Sequence, residues 1–439
     1  MLRKAIVIVF MLTASACSDE PITPAEMEGP LQAILSGYAN NRDFSGLVAI
    51  ARGGDLFAWH AEGYANFATE TPHSLDSPFQ IASLSKIFTA AAIQRLQLSG
   101  KLDLDQPIDT YLPSFGHGAK VTTRHLLAHQ SGIPDYWTIE DARERAKSSI
   151  NTAGLLTFVG NTPLEFEPGM ADAYSNSGYA VLAALIETLS GQSYHDFLAA
   201  ELLAPAGLSQ TVQHQRDLSI VGYVPSHSEM GLQPAETFSP SFLVGAGSFQ
   251  STATDLLALC HGFNQDFINP ETPAFLYGWG AREASGRRWA EQTGRLAGFA
   301  AHMRAYPDED LCVLVLSNIE SEAVSAIGQD AVDVYWGKSV KPPVNRPGYA
   351  LNEAQVVEYI GHYRIASGNQ LEIRAEGNFL WLKGQNGEFL PLEPLGKDSF
   401  FYRQLNARID ISRNAEGAID GLLWGGSYFI PKVQAGRAD

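Results

Sequence analysis

The chain has 439 residues, 45% of them hydrophobic and 18% charged, enough apolar material for two or three domains with substantial cores. Its net charge of −18 repels phosphate backbones and anionic lipid, and no basic run offsets it. Nucleic-acid binding through a bulk basic surface is therefore excluded.

At the N-terminus, Leu2-Arg3-Lys4 precedes the apolar run Ala5 to Leu12, which is the order of a secretory signal. That run is shorter than the ~20 residues a bilayer span needs. Ala14-Ser15-Ala16-Cys17 is similar to a bacterial lipobox, with Ala14 where leucine is usual. It predicts a signal peptide over 1–16, lipidation of Cys17 and a membrane anchor through that lipid, simple cleavage after Ala16 being the alternative. Residues 17–29 then read as a polar tether.

Leu31 to Tyr38 is predicted to be helical, and Gly46 to Ala51 and Leu56 to His60 form a hairpin around Arg52-Gly53-Gly54-Asp55. From Phe79 to Ala92, the residues Leu84, Ile87, Phe88, Ala91 and Ala92 recur at helical spacing, predicting a helix buried on most faces that stops at Ser99-Gly100. A buried helix rarely carries a lysine, yet Lys86 follows Ser83 by three residues and shares its face at the helix start. Burial and the positive helix end both weaken the hold of an amine on its proton, so a neutral Lys86 suits the role of base to Ser83 Oγ. So short a pattern also arises from a helix cap beside a snorkelling lysine, and the rest of the chain decides between the two.

Thr123 to Gln130 is a short predicted helix. Its His125 and His129 stand four apart, as metal ligands can, but Leu126 replaces the glutamate of a zincin pair and the two are read as structural. Helices over Tyr179 to Leu189 and Ser193 to Leu203 follow, and strand signals return at Arg288 to Thr293, Phe299 to Tyr306 and Leu311 to Ser317, ahead of a helix over Glu322 to Trp336. Strands at both ends with helices between predict one mostly antiparallel sheet built from early and late segments, with a helical insertion, and a site where the two parts meet. Cys260 and Cys312 sit in apolar surroundings and are expected as two buried, inert thiols, with a disulfide as the alternative. The proline-rich stretch from Lys341 to Gly348 predicts a linker over 341–352 that few contacts cross, separating residues 30–340 from a small antiparallel barrel or sandwich over 353–435.

Ser83-x-x-Lys86, Tyr174-x-Asn176 and Thr293-Gly294 occur in an order and spacing that resemble class C β-lactamases and the penicillin-binding-protein-like serine hydrolases related to them. Flanking phrases such as Leu126-Leu127-Ala128-His129-Gln130-Ser131-Gly132 are similar too, so the resemblance covers residues 30 to 337. It implies an α+β fold of the β-lactamase/transpeptidase type, with an antiparallel sheet, flanking helices and a helical subdomain, followed by the small β domain. It implies that Ser83 is acylated and that Lys86 is its base, alone or with Tyr174. Tyr174 would relay a proton to the leaving group, which requires a phenol perturbed from its ordinary pKa near 10. Asn176 would hold Lys86 and a substrate carbonyl, Gln292, Thr293 and Gly294 would line the substrate, and the backbone N–H groups of Ser83 and Arg295 would form the oxyanion hole. No metal and no cofactor are implied.

Gln292 departs from the pattern, which has a lysine or histidine before Thr-Gly. A charge-assisted hydrogen bond contributes about 1.5–3 kcal/mol against about 1 for a neutral one, so anionic substrates lose most by the change. Arg287, Arg288 and Arg295 are candidates to restore the charge. The expected activity is that of an exported, periplasmic or cell-surface serine hydrolase acting on a small-molecule or peptide substrate. Esters and D-amino-acid amides or peptides rank above β-lactams because of Gln292. The alternative is a non-hydrolysing cell-wall-binding or sensor module, and the oligomeric state is left open. No Gly-x-Ser-x-Gly elbow occurs, which argues against an α/β-hydrolase.

Overall fold

The computed structural model describes residues 21–214, 219–227, 231–264, 278–284, 286–296, 298–346, 348–365, 370–383 and 389–433. Cys17 and the signal-like segment lie outside them.

Six antiparallel strands form the central sheet, in the spatial order Gly280–Ala284, Arg287–Leu296, Phe299–Tyr306, Leu311–Ser317, Gly46–Arg52 and Asp55–Glu62. Early and late parts of the chain are zipped together where Gly46 faces Ser317 and Arg52 faces Leu311. Every residue of Leu311–Ser317 is buried, because the strand is covered on both sides. Alternation along the strands sends Val48, Ile50, Val313 and Val315 to one face, against the helices Pro24–Asn40 and Ala323–Tyr335. Leu47, Ala49, Leu314 and Leu316 point to the other, against Ser85–Leu98 and the larger helical part. The helix Asn176–Ser190 is the centre of that part, with Asn176 to Ile186 all buried.

The first helix starts inside the segment read as tether. Thr23 and Glu26 form a reciprocal cap, Pro24 occupies the first turn and Met27 is fully buried, so residues 24–28 are drawn onto the sheet. Cys260, in the helix Ala253–Gly262, and Cys312, in the central strand, are joined in a disulfide with Cα atoms 6.1 Å apart, in place of the two thiols expected. Apolar surroundings revealed their burial but not their mutual approach across the sheet face.

Residues Gly361 to Pro431 make an eight-stranded antiparallel sheet in which the strands neighbour one another in chain order. Its ends nearly close: Tyr363 bridges Lys432, and the Val433 N–H donates to the His362 carbonyl at 2.7 Å. Tyr363, Ile373, Leu382, Leu392, Phe400, Ile409 and Leu422 fill its own core.

The stretch between the two domains is fastened rather than loose. Arg346 pairs with Asp43 at 2.5 and 2.7 Å, Asn41 Nδ2 donates to the Val344 carbonyl at 3.0 Å, and Pro343 leaves no room for a Cβ on Gly37. Arg403, from the β domain, reaches Asp43 at 3.5 Å and also pairs with Glu393. Prolines signal an absence of regular structure, not of side-chain pairing, and the buried Asp43 carboxylate requires these cations.

Candidate active site

Ser83 sits in the 3₁₀ turn Ala82–Leu84, immediately ahead of the helix Ser85–Leu98 rather than within it. Ala82 adopts φ +45°, a left-handed conformation that costs a non-glycine residue about 1–2 kcal/mol and therefore needs outside support. Ile81 N–H donates to the Phe249 carbonyl at 3.1 Å, and Phe249 N–H donates to Ser85 Oγ at 3.2 Å, clamping the turn from both sides. The strand Arg287–Leu296 runs alongside. A Cβ on Gly294 would stand 2.4 Å from the Ile81 carbonyl oxygen and 3.0 Å from the Ser83 nitrogen, so glycine alone permits this approach.

Lys86 is fully buried. Its Nζ is 3.1 Å from Ser83 Oγ, 2.7 Å from Asn176 Oδ1 and 3.0 Å from the Ala246 carbonyl oxygen. The two carbonyl-type oxygens only accept, so they hold two N–H bonds and leave the remaining position of Nζ facing Oγ. Burial pulls the amine down to about 7, while the charge of Asp135 opposes that shift. Near neutral pH a large fraction of the side chain therefore offers Ser83 a lone pair.

The Tyr174 hydroxyl lies 2.6 Å from Ser83 Oγ and 3.5 Å from Asn176 Oδ1. Its ring is about half exposed to the cleft (51%) and leans on His129 at a centroid distance of 4.6 Å. Enclosure of the hydroxyl end pushes the phenol above its ordinary range, against the hydrogen bond from Ser83. The perturbation thus runs upward. Tyr174 is a protonated phenol at neutral pH, suited to donate rather than to abstract. His129, held neutral by burial, accepts from the Ser175 N–H at 3.1 Å, and His125 Nδ1 accepts from Thr122 N–H at 3.3 Å. Both histidines support neighbouring backbone.

Asn176 opens its helix, and Asp135 fixes it: one carboxylate oxygen accepts from the Asn176 N–H at 2.9 Å and from Nδ2 at 2.7 Å. This orients Oδ1 toward Lys86. Asp135 was missed in the sequence, where an aspartate after Pro134 reads as an ordinary turn residue.

Gln292 is tied at both ends of its amide, donating to the Gly278 carbonyl at 2.6 Å and accepting from Thr293 N–H at 3.0 Å. Arg287 lies over the Trp336 ring and Arg288 pairs with Asp308 at 2.8 Å, both off the cleft. Arg295 borders the cleft, where Glu322 matches its charge at 3.1 Å. None of the three restores a free positive charge beside Ser83.

These groups open onto a cleft of about 600 Å³. Its lining includes Asp135, Trp137, Tyr174 and Phe238, then Gln292, Thr293, Arg295 and Leu296 with Glu320 and Glu322, and Tyr402, Gln404 and Leu405 of the β domain.

A family model described as Beta-lactamase matches residues 31–334. Penicillin-binding protein 4* of Bacillus subtilis is 30% identical over 434 residues, spanning 90% of this chain and 96% of its own length. The D-aminopeptidase of Brucella anthropi is 26% identical over 65% of this chain and 58% of its own. Among solved structures, the D-amino acid amidase of Ochrobactrum anthropi covers 70% of this chain and 98% of its own, with TM-score 0.61 and 22% identity. The octameric penicillin-binding protein homologue of Pyrococcus abyssi covers 92% and 99%, with TM-score 0.61 and 20% identity. At these identities the two structures speak for the fold.

Proposed function

The chain belongs to the beta-lactamase family, among its penicillin-binding-protein-like serine hydrolases, and we propose that it is an exported hydrolase that forms an acyl-enzyme on Ser83 and cleaves small esters or D-amino-acid amides and peptides. The observation that carries this reading is the buried Lys86, whose two carbonyl partners leave its remaining position aimed at Ser83 Oγ.

In the proposed cycle the Oγ proton passes to neutral Lys86 as Oγ bonds to the carbonyl carbon, and the backbone N–H groups of Ser83 and Arg295 receive the oxyanion. Tyr174 gives its proton to the leaving nitrogen or oxygen, the scissile bond breaks, and the proton held by Lys86 restores the phenol. Water then attacks the Ser83 ester, giving up a proton to neutral Lys86; the bond from Oγ to the acyl carbon breaks, that proton passes to Oγ, and the acid leaves with Ser83 restored.

Two features support amine-bearing or neutral substrates over anionic ones. Gln292 places an uncharged amide, already engaged with backbone, where a cation would attract a carboxylate. The cleft walls carry Asp135, Glu236, Glu320 and Glu322 against Arg143 and Arg295, a net negative lining. The D-aminopeptidase relative agrees with a D-amino-acyl substrate. The Cys260–Cys312 disulfide supports an oxidising compartment and hence export, with Cys17 as the proposed lipid anchor. Incubation with a fluorophosphonate probe and then with a chromogenic ester and D-alanine p-nitroanilide tests the reading; rapid labelling without turnover would instead favour a sensor.

A further inference from the structure

The β domain enters the cleft through one turn. The segment Arg403–Leu405 forms a short 3₁₀ turn between the strands Ser399–Tyr402 and Ala407–Arg413, and Asn406 at φ +46° closes it. Its backbone is anchored to the catalytic domain: Glu322 N–H donates to the Gln404 carbonyl at 3.0 Å, and Ser321 Oγ donates to the Arg403 carbonyl at 3.3 Å. Its side chains are anchored too, since Gln404 Nε2 donates to Glu320 Oε1 at 3.2 Å and Arg403 Nη1 donates to the Gly231 carbonyl at 3.1 Å.

Within this fixed turn the burial is uneven. Arg403 and Gln404 are about 5% and 7% exposed, whereas Leu405 is 39% exposed on the cleft wall. A single exposed leucine is unremarkable on a surface. This one lines the same active-site cleft as Leu296 and Val224, on a turn whose position leaves it little freedom to withdraw. Glu322 links the turn to Arg295 at 3.1 Å, next to the N–H that would hold the oxyanion.

We propose that Leu405, with Leu296, forms an apolar subsite for the side chain or alkyl group of the substrate's acyl part, so that the β domain selects the substrate. The assignment to the acyl part rests on the acyl-enzyme reading above: Glu322 joins the turn to Arg295, whose N–H would hold the oxyanion of the acyl carbonyl, whereas Tyr174 serves the leaving group. The ligand class is therefore an acyl group with an apolar substituent of leucine or longer-alkyl size, in preference to acetyl or alanyl groups.

The test uses the full chain and the variants Leu405→Ala, Leu405→Asp and Leu405→Phe. kcat/KM is measured for p-nitrophenyl hexanoate and p-nitrophenyl acetate, which share a leaving group. The hexanoate-to-acetate ratio should fall about five-fold in Leu405→Ala and further in Leu405→Asp, while Leu405→Phe keeps it within about two-fold. In parallel, binding of N-hexanoyl- and N-acetyl-D-alaninamide to Ser83→Ala and to Ser83→Ala with Leu405→Ala is compared by calorimetry, which requires no chemistry. A falling binding ratio with no turnover by the natural chain would keep the subsite and remove the acyl-enzyme reading. Ratios unchanged by Leu405→Ala and Leu405→Asp in both measurements would overturn the subsite.

Discussion

A single oxygen of Asp135 accepts both the backbone N–H of Asn176 at 2.9 Å and its side-chain Nδ2 at 2.7 Å. One carboxylate thereby caps the start of the helix Asn176–Ser190 and sets the sense of the amide, so that Oδ1 faces Lys86 at 2.7 Å. The lysine is positioned by a group it does not touch.

Replacing Asp135 with Asn exchanges charge-assisted bonds for neutral ones and lets the Asn176 amide turn over. A loss of about 0.7–2 kcal/mol, or roughly 3- to 30-fold in kcat/KM, is expected. Because the Asp135 charge raises the Lys86 pKa, its removal should also shift the acidic limb of the pH–rate profile to lower pH. A rate loss with an unmoved limb would show that the Asp135 charge does not act on Lys86 and that its role is confined to holding Asn176.

The profile of the natural chain follows from the same lysine. Burial lowers Lys86 to about 7, and the proposed base is the neutral form, so kcat/KM should fall about ten-fold per pH unit below 7 and level off above it. Tyr174 is shifted upward, so a loss of its proton should not cut the rate until the pH exceeds the ordinary phenol value of 10. A rate constant down to pH 5 would remove Lys86 as the base.

The Gln292→Lys variant places a cation near the Gly278 carbonyl that now accepts from Gln292. Esters bearing a carboxylate should gain about 5- to 30-fold in kcat/KM over their methylated partners. The ratio is the right quantity, since a second cation would depress Lys86 and alter the rate on every substrate alike. An unchanged ratio would show that this position does not select against anions.

Removing residues 341–439 takes Arg346 and Arg403 from Asp43, whose carboxylate is almost wholly enclosed. Leaving one member of a buried pair behind costs about 3–5 kcal/mol, so the truncated protein should melt well below the full chain or be insoluble. Asp43→Asn within the truncated chain should recover part of that loss. A truncated protein that melts with the parent would mean the cluster contributes little.

The parts of this architecture that rest on local pattern were legible in the sequence. Phe299–Tyr306 and Leu311–Ser317 emerge with the expected bounds because turn residues bracket them, Gly298 ahead of the first and Pro307 to Asp310 between the two, and the second is an unbroken apolar run up to Ser317. Ser83 and Lys86 come together, at 3.1 Å, because three residues of helical rise place them on one face. What depends on chain folding was not legible. Asp135 acts on a partner 41 residues away. Cys260 meets Cys312 across 52 residues, and Leu405 reaches a cleft whose nucleophile lies in another domain. The helix Pro24–Asn40 starts early for a third reason: Met27 finds a buried seat that the polar residues around it conceal.

The most direct measurement combines covalent labelling with turnover. Purified protein is treated with a fluorophosphonate, the modified peptide is identified by mass spectrometry, and untreated protein is assayed for many turnovers of p-nitrophenyl acetate and D-alanine p-nitroanilide. One adduct on Ser83 is expected, absent from Ser83→Ala and slow to form in Lys86→Ala, together with repeated turnover of at least one substrate. An adduct on another residue, labelling that persists in Ser83→Ala, or a single acylation with no further turnover would contradict a hydrolase working through Ser83.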